Sequence, residues 1–376
     1  MARIVELTDL AGAYASRLFA EQGHEVIRVE NRYDNPVRSL PPFLGNAPDG
    51  ENSAYHHFLN AGKKSLALSL DSSAGQEILL RLVATADVLI AGCACPLDAD
   101  RLIESNPKLV FTKIDDEEPD ICAMARSGLM SLTGHPDKSP MVLGGDLAAL
   151  ATGIYVAVAT AAALRSAKEC GNGLIVTVSL REALESFVEQ AMVEYSFSGV
   201  ITERRGSKGA ITAISGALPC KDGHWVISQI HRPGRWAKFV EWIKDPELAA
   251  DPSLAEEENQ IKRRDFILDH VLSWASQHYK NELVEEAQKR HFPASPVSTT
   301  LDLIDDPQLR ARRFLTETLH RQFGRIRYPQ GALASMRRAE LDPAPMFGEH
   351  NGAILAQLGY STTEQRSLLA DGVVEE

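Results

Sequence analysis

The sequence predicts an α/β protein: a parallel, helix-covered sheet followed by a smaller α+β segment. Three observations carry this. Strand and helix signals alternate through residue 180, the rhythm of a parallel sheet whose crossovers are helices. A long Ala- and Gly-rich apolar stretch, Asp146–Ser166, reads as a helix whose small residues allow close packing. The composition changes near Gly199, beyond which turn signals and shorter helical patterns dominate.

The elements follow in order. Ile4–Leu7 is a short apolar strand, and Gly12–Gln22 is helical with Tyr14, Leu18 and Phe19 on one face. Glu25–Glu30 (E-V-I-R-V-E) alternates as a half-buried strand does. Ser65–Leu70 is a further strand, and Ser72 caps the helix that runs through Ala84. Asp87–Ile90 and Leu109–Ile114 are strands. The helix Asp146–Ser166 is apolar nearly all round and is expected to be buried; Asp146, Thr152 and Thr160 argue against its crossing a membrane. Gly171–Gly173 turns the chain into the strand Leu174–Ser179, and Leu180–Tyr195 is an amphipathic helix. Glu203–Gly209 is charged and Gly-punctuated, the pattern of a linker. Trp225–Gln229 follows the Asp222-Gly223 turn as a strand, and helices fall at Trp236–Ile243, Arg263–Gln277 and Asn281–Lys289. After Arg325–Tyr328, Pro-containing loops lead to a last helix pair, Asn351–Leu358 and Thr363–Leu369.

Composition excludes several classes. The chain has 376 residues, 44% apolar and 24% charged, which is enough for a real core and unlike a disordered, collagen-like or disulfide-scaffold chain. No apolar run reaches the ~20 residues needed to span a bilayer. The opening Met-Ala-Arg-Ile-Val-Glu is strand-like and soon carries Glu6 and Asp9, which does not fit a signal peptide. With 39 Lys and Arg against 51 Asp and Glu, the net charge is −12, so neither nucleic acid nor an anionic membrane is expected as a partner. Cys93, Cys95, Cys122, Cys170 and Cys220 fit no zinc or redox spacing and read as reduced thiols of a cytoplasmic protein. Among the eleven histidines only His56-His57 is a tight pair, so no metal is expected.

Familiar nucleotide and hydrolase motifs are missing. No G-x-G-x-x-G follows the first strand, which argues against a nicotinamide or flavin dinucleotide. There is no P-loop and no G-x-S-x-G elbow. The pairs Arg204-Arg205, Arg263-Arg264, Arg312-Arg313 and Arg337-Arg338 read as solvated surface or as an anion-binding cleft.

One carboxylate stands out. Gly144-Gly145-Asp146 immediately precedes the long apolar helix. An aspartate there is a good N-cap. The other reading is a nucleophile on an activated acyl group, with two glycines that let a substrate approach the backbone. Local chemistry leaves both readings open.

Several stretches, in order, resemble the class III CoA-transferases, the family of formyl-CoA transferase, the carnitine and bile-acid CoA-transferases and α-methylacyl-CoA racemase. They are Leu10-Ala-Gly-Ala-Tyr-Ala-Ser-Arg-Leu, Gly23-His-Glu-Val-Ile-Arg-Val-Glu30, Asn60-Ala-Gly-Lys-Lys-Ser-Leu-Ala-Leu-Ser-Leu70, Ser127-Gly-Leu-Met-Ser-Leu-Thr-Gly134, Asp302–Ala311, Gly348-Glu-His350 and Leu358-Gly-Tyr360. The resemblance implies a Rossmann-like large domain over residues 1–198 and 330–376, a small α+β domain with linkers over 199–329, and an interlocked homodimer. It implies Asp146 as catalytic nucleophile. The CoA thioester is then a substrate, a carboxylic acid is the acceptor, and an aspartyl-CoA intermediate joins them without a metal or redox cofactor. Arg32 matches a phosphate-binding arginine of the family, Arg101 lies close to another, and Gly144 and Gly145 flank the substrate. Met192, Tyr195, Phe197, His231 and Trp236 are candidate pocket residues.

The departures from the family pattern leave alternatives open. Asp115–Asp120 is an acidic segment where relatives have a longer Gly-rich loop beside CoA, and Asp71 stands where a basic residue is usual. Ala91-Gly92-Cys93 replaces the family's E-N-F/Y. These changes weaken the expected phosphate contacts. They favour a non-catalytic or partner subunit of a hetero-oligomeric transferase, or a related acyl-CoA lyase, isomerase or racemase. The racemase branch has a His-Asp pair where Pro119-Asp120 stands here, and proline exchanges no proton.

Overall fold

The computed structural model describes residues 1–31, 35–45, 50–93, 95–115, 117–206, 213–214, 216–232, 234–330 and 342–375. The chain forms two compact units. One comprises Met1–Leu129, Val142–Val193 and Pro307–Glu376; the other comprises Met130–Met141 and Glu194–Asp306.

The larger unit begins β1 (Arg3–Leu7), α1 (Leu10–Glu21), β2 (Glu25–Glu30), α2 (Ala54–Asn60), β3 (Lys64–Ala67), α3 (Ser73–Ala84), β4 (Val88–Ala91), α4 (Ala99–Ser105), β5 (Val110–Asp115) and α5 (Asp120–Arg126). A short turn of helix, α6 (Leu129–Leu132), all but its first residue in the second unit, precedes α7 (Leu147–Cys170), β6 (Leu174–Ser179), α8 (Leu180–Glu185) and α9 (Glu189–Ser198), whose last five residues also count with the second unit. The six strands form one parallel sheet in the order β3-β2-β1-β4-β5-β6, the doubly wound arrangement.

Successive strand residues face opposite sides of a sheet. Val5, Ile27 and Leu89 therefore pack on one face with Leu79 and Leu82 of α3, while Ile4, Val26 and Val88 pack on the other with Phe19 of α1 and Val156 of α7. Each such side chain, fully buried, stabilises the fold by roughly 1.5–3 kcal/mol.

Three expectations need correction. β2 is buried on both faces rather than half-buried, because its charged residues are paired: Arg28 with Glu6, and Glu30 with Arg38. The helix from Leu180 is not continuous; a 3₁₀ turn at Ser186–Val188 separates α8 from α9. α7 is buried on one side only. Ala148, Thr152, Gly153, Val156, Thr160 and Ala163 face the protein, whereas Leu147, Ile154, Tyr155 and Val158 are exposed. It is the one described helix long and apolar enough to cross a membrane, and it serves as a core helix of this unit.

The two edges of the sheet differ. The β3 edge is covered by the C-terminal segment, where the Ala67 N–H donates to Asn351 Oδ1 (2.8 Å) and the Ser69 N–H to the Val373 carbonyl (2.9 Å). β6 leaves Leu174 and Ile175 exposed.

The second unit holds β7 (Leu218–Cys220), β8 (Gly223–Ile227), α10 (Arg235–Ile243), α11 (Pro246–Ala249), α12 (Glu257–Lys262), α13 (Arg264–Ala275), α14 (Lys280–Lys289), β9 (Ala294–Pro296) and α15 (Thr300–Asp305). β7-β8-β9 is a small antiparallel sheet beneath an aromatic core of Trp225, Trp242, Trp274, Phe239 and Phe292. Arg204, read from sequence as surface or anion cleft, instead donates to the carbonyls of Ser131, His135 and Lys138. These bonds tie residues 130–141 into this unit. Residues 203–206 of the expected linker have no regular structure, and 207–209 lie outside the described residues. The chain returns to the larger unit as α16 (Pro307–Ala311), the hairpin β10 (Leu315–His320) and β11 (Gly324–Pro329), α17 (Asn351–Gln357) and α18 (Thr362–Ala370).

Candidate active site

A helix that leads into a strand of a parallel sheet runs antiparallel to it and starts at the carboxyl edge. The order of elements therefore puts the start of α7, before β6, and the start of α5, just after β5, on that edge.

Asp146 is the residue before α7. Its carbonyl accepts the first helical bond from the Leu150 N–H (2.9 Å), but its side chain makes no capping bond. The half-buried carboxylate accepts a hydrogen bond from the Tyr55 hydroxyl instead. Of the two local readings, the structure removes the side-chain cap. The positive end of the α7 dipole still favours a negative charge here.

Tyr55 is held by α2. Ser53 caps that helix, accepting from the His56 N–H (3.3 Å) and donating to the Leu40 carbonyl (2.7 Å). Tyr55 and Phe58 then pack with Ala13 of α1, Leu59 and Leu150 of α7 in one apolar cluster. The hydrogen bond to Asp146, and then burial, raise the Tyr55 hydroxyl above its ordinary pKa, so it remains a donor through neutral pH.

Asp120 opens α5. It is half-buried, and burial followed by the charge of Asp146 raises its carboxyl above the ordinary range. Gly144 and Gly145 are exposed, and a Cβ built on either meets nothing described within 4 Å. Gly145 has a φ of +69°, which glycine adopts without strain.

A cavity of about 500 Å³ opens at the carboxyl ends of β1 to β4, where the strand order reverses. Arg28 and Glu30 lie in its wall, and Asp9, Asp71 and Glu117 also line it. Behind the wall is a chain of buried charges. Glu6 accepts from Arg28, from Lys63 Nζ (3.0 Å) and from Thr8 Oγ1 (2.7 Å). Glu30 accepts from Arg38 Nη2 (2.8 Å) and Asn35 Nδ2 (2.6 Å), and Arg38 also pairs with Glu51. Burial would push both glutamates up; the surrounding cations outweigh it and hold both carboxyls below their ordinary values.

The sequence-selected residues are only partly brought together. Gly144, Gly145 and Asp146 form one exposed-to-half-buried corner. Arg101 is exposed on α4 and does not line the cavity. Arg32 lies outside the described residues. Met192, Tyr195 and Phe197 are exposed on α9, and Trp236 belongs to the aromatic core of the smaller unit, so it packs rather than lining a pocket. Tyr55 was missed; the Ser53 cap was the available signal for its helix. Asp120 was read only as part of the acidic Asp115–Asp120 segment and beside Pro119, not as a neighbour of Asp146. Among the described residues no group of three His, Cys, Asp or Glu could hold a metal ion, and none of the five cysteines is in a disulfide.

A doubly wound sheet that presents an uncapped carboxylate and a switch-point cavity on one edge defines the class: an α/β protein with its site at the carboxyl ends of the strands. The chain belongs to the CoA-transferase family III, which it matches over residues 2–351. It is 29% identical over 390 residues to the succinyl-CoA:mesaconate CoA-transferase of Haloarcula hispanica, with 97% of each chain covered. It is 30% identical over 385 residues to the succinate–glutarate CoA-transferase of Agrobacterium fabrum, covering 95% of this chain and 94% of that one. The crystal structure of a CAIB/BAIF family protein from Brucella suis superposes with a TM-score of 0.84 at 27% identity, covering 95% of this chain and 98% of that one.

Proposed function

We propose that this protein moves CoA from an acyl-CoA thioester to a carboxylic acid, with Asp146 as the covalent nucleophile. The observation that carries the reading is the Asp146 carboxylate, which stands at the start of α7, is not used as a cap, and is held by Tyr55 beside two glycines with open space around them. Family membership supports the reaction class, and the named activities of the relatives point to succinyl-CoA as the first donor to test, with small dicarboxylates as acceptors.

In this reading an Asp146 oxygen attacks the thioester carbonyl, giving a mixed anhydride and CoA thiolate. The thiolate attacks the aspartyl carbonyl, releasing the first acid and leaving an aspartyl-CoA thioester. The incoming carboxylate attacks that thioester, giving a second anhydride and the thiolate again. Thiolate attack on the acceptor's acyl carbon then gives the new acyl-CoA and restores the Asp146 carboxylate. Tyr55 fixes the carboxylate rotamer before attack, which is a gain in orientation. Gly144 and Gly145 let the acyl group approach the backbone.

A homodimer fits the same reading. The exposed apolar residues of α7 together with Leu174 and Ile175 on the open β6 edge form a surface that a second copy would cover.

Intact-protein mass spectrometry after incubation with succinyl-CoA, followed by peptide mapping, tests the chemistry. An adduct on the Asp146 peptide that is absent from Asp146→Asn supports it. Turnover by Asp146→Asn at the wild-type rate overturns it.

A further inference from the structure

The helix that carries Tyr55 is only seven residues long, about two turns, and a helix that short does not hold itself in water. Its place is set by what it packs on, and its two sides do this differently. Tyr55, Phe58 and Leu59 lie in the apolar cluster with Ala13 of α1 and Leu150 of α7. Ser53, His56 and Asn60, spaced three and four apart, fall along the other side, where all three are buried and hydrogen-bonded.

Lys63 holds the end of that polar row. Its side chain is completely buried, and an ammonium has three N–H donors. All three are taken: by Glu6 Oε2 of β1 (3.0 Å), by the Ala13 carbonyl of α1 (2.8 Å) and by Asn60 Oδ1 of α2 (2.9 Å). The connection continues along α2. The Pro345 carbonyl can only accept, so His56 Nε2 donates to it (2.9 Å), and His56 Nδ1 accepts from Asn60 Nδ2 (3.0 Å). One cation thus joins β1, α1 and α2 at a point, and Ala13 belongs both to this junction and to the cluster that packs Tyr55. Glu6 alone answers the buried charge; the bonds to Ala13 and Asn60 fix where α2 sits on α1.

We propose that Lys63 is a positioning residue for the exchange reaction: its ammonium fixes α2 on α1, and through α2 the Tyr55 hydroxyl on the Asp146 carboxylate. The proposal rests on the reading of Asp146 as nucleophile.

The junction also titrates. Burial lowers the Lys63 pKa to about 8; Glu6 opposes this, and Arg28 and then Arg17 add to it. His56, beyond Asn60, stays neutral because burial holds its pKa well below the ordinary value. The Tyr55 pKa is raised, so its own proton stays in place over this range. A neutral amine has two N–H donors, so one of the three connections is lost when the Lys63 proton leaves. Alignment of Tyr55 therefore weakens as pH rises through about 8, while the same titration makes the fold more stable toward 10.5. Rate and stability move in opposite directions, which a residue serving the fold alone would not produce.

Steady-state exchange with succinyl-CoA and a small dicarboxylate, followed across this pH range, tests the proposal in wild type, Tyr55→Phe, Lys63→Met and the double variant, each assayed where melting curves show it folded. Wild-type kcat should fall by about threefold to tenfold through the Lys63 titration with KM held, and Tyr55→Phe should show no such fall. Lys63→Met should lower kcat at neutral pH by about threefold to tenfold, lack the alkaline fall, and add nothing to Tyr55→Phe. The proposal is overturned by an alkaline fall that persists in Tyr55→Phe, by losses that add in the double variant, or by a Lys63→Met kcat equal to wild type. Should Lys63→Met not fold, the pH profiles of wild type and Tyr55→Phe decide on their own. Asp146→Asn turning over like wild type removes the transferase reading. A requirement for Asp146 together with additive losses removes this proposal alone, and a wild type that exchanges nothing removes both.

Discussion

The Tyr55 hydroxyl donates to the Asp146 carboxylate across 91 residues of sequence, joining the first turn of α2 to the start of α7. That bond replaces the side-chain cap expected of an aspartate at this position. It leaves the second carboxylate oxygen available for chemistry. Tyr55→Phe should lower exchange by about tenfold to a hundredfold, the worth of one hydrogen bond to a charged group. Affinity for the thioester should hold, because the lost interaction orients the proposed nucleophile and not the ligand. Steady-state kinetics with succinyl-CoA, read as kcat against KM, checks this. An unchanged kcat removes Tyr55 from the mechanism.

Asp120 gives the site a pH signature. Its folded pKa is raised, first by burial and then by Asp146, so the native state holds this proton more tightly than the unfolded chain. The sign follows from linkage: between its ordinary value of 3.8 and the raised one, stability falls as pH rises, and the loss persists above that window. Asp120→Asn should therefore melt higher than wild type at neutral pH, with the difference vanishing at the acid end. In an Asp146→Asn background the Asp120→Asn gain should shrink, because one cause of the raised pKa has gone. Paired melting curves across pH test both statements, and a gain independent of pH would count against them.

Much of the larger unit was legible, and the reasons are local. Glu25–Glu30, Ser73–Ala84 after its Ser72 cap and Leu174–Ser179 fall where period and capping place them. The failures have physical causes. Burial of Arg28 and Glu30 depends on partners at Glu6 and Arg38, which no window around β2 contains. β10 was not read as the partner of the Arg325–Tyr328 strand, because L-T-E-T-L-H gives only a short alternation beside a Phe323-Gly324 turn. At the candidate site, the glycines and the helix singled out Asp146 without choosing between cap and nucleophile, and the structure removes only the side-chain cap. Tyr55 was not legible, because its role depends on how α2 packs against α1 and α7. The acid of Asp71 and Glu117 was visible in sequence; that both line one cavity required the fold.

The buried charges behind that cavity are unequal. Glu6 is completely buried and serves both Arg28 and Lys63. Glu6→Gln leaves two buried cations short of a counter-ion and should destabilise by about 3–5 kcal/mol. Lys63→Met leaves Glu6 with Arg28 and should cost clearly less. Lys63 also titrates: burial lowers its pKa to about 8, although Glu6 opposes this. The native state thus releases this proton before the unfolded chain does, and stability should rise between pH about 8 and the ordinary value of 10.5. Denaturant titrations of wild type and Lys63→Met across this range check the sign. The rise should be absent from the variant.

All four tryptophans, Trp225, Trp236, Trp242 and Trp274, lie in the smaller unit, so tryptophan fluorescence reports the unfolding of that unit. Trp225 is fully buried, edge-on to Trp242 and Trp274 with centroids 6.2 and 6.4 Å away. Its buried indole N–H has no partner among the described residues. Trp225→Phe loses volume but also removes that unsatisfied donor, and the two effects oppose each other. It should cost no more than about 2 kcal/mol, against about 3–5 kcal/mol for Trp225→Ala. Urea midpoints followed by fluorescence at the remaining tryptophans give the ranking. Equal costs for the two variants would mean that the N–H is paired in solution.

Two glycines separate packing from chemistry. Gly153 of α7 faces α1 so closely that a Cβ would stand 2.5 Å from the Ala11 carbonyl oxygen and 3.2 Å from the Tyr14 ring. Gly153→Ala must push the two helices apart, which should cost about 1–3 kcal/mol. Because Asp146 lies seven residues, about two turns, before Gly153 on the same helix, the shift also moves the carboxylate against Tyr55. Gly144 is the opposite case: no described atom lies within 4 Å of its Cβ position. Gly144→Ala should leave the melting temperature in place while slowing exchange, because in the proposed reaction the methyl would occupy the approach of the acyl group. The pair is measured by thermal melts alongside turnover at a temperature where both variants are folded. Loss of stability at 144, or full turnover with a methyl there, would show that this corner of the sheet edge does not face the substrate.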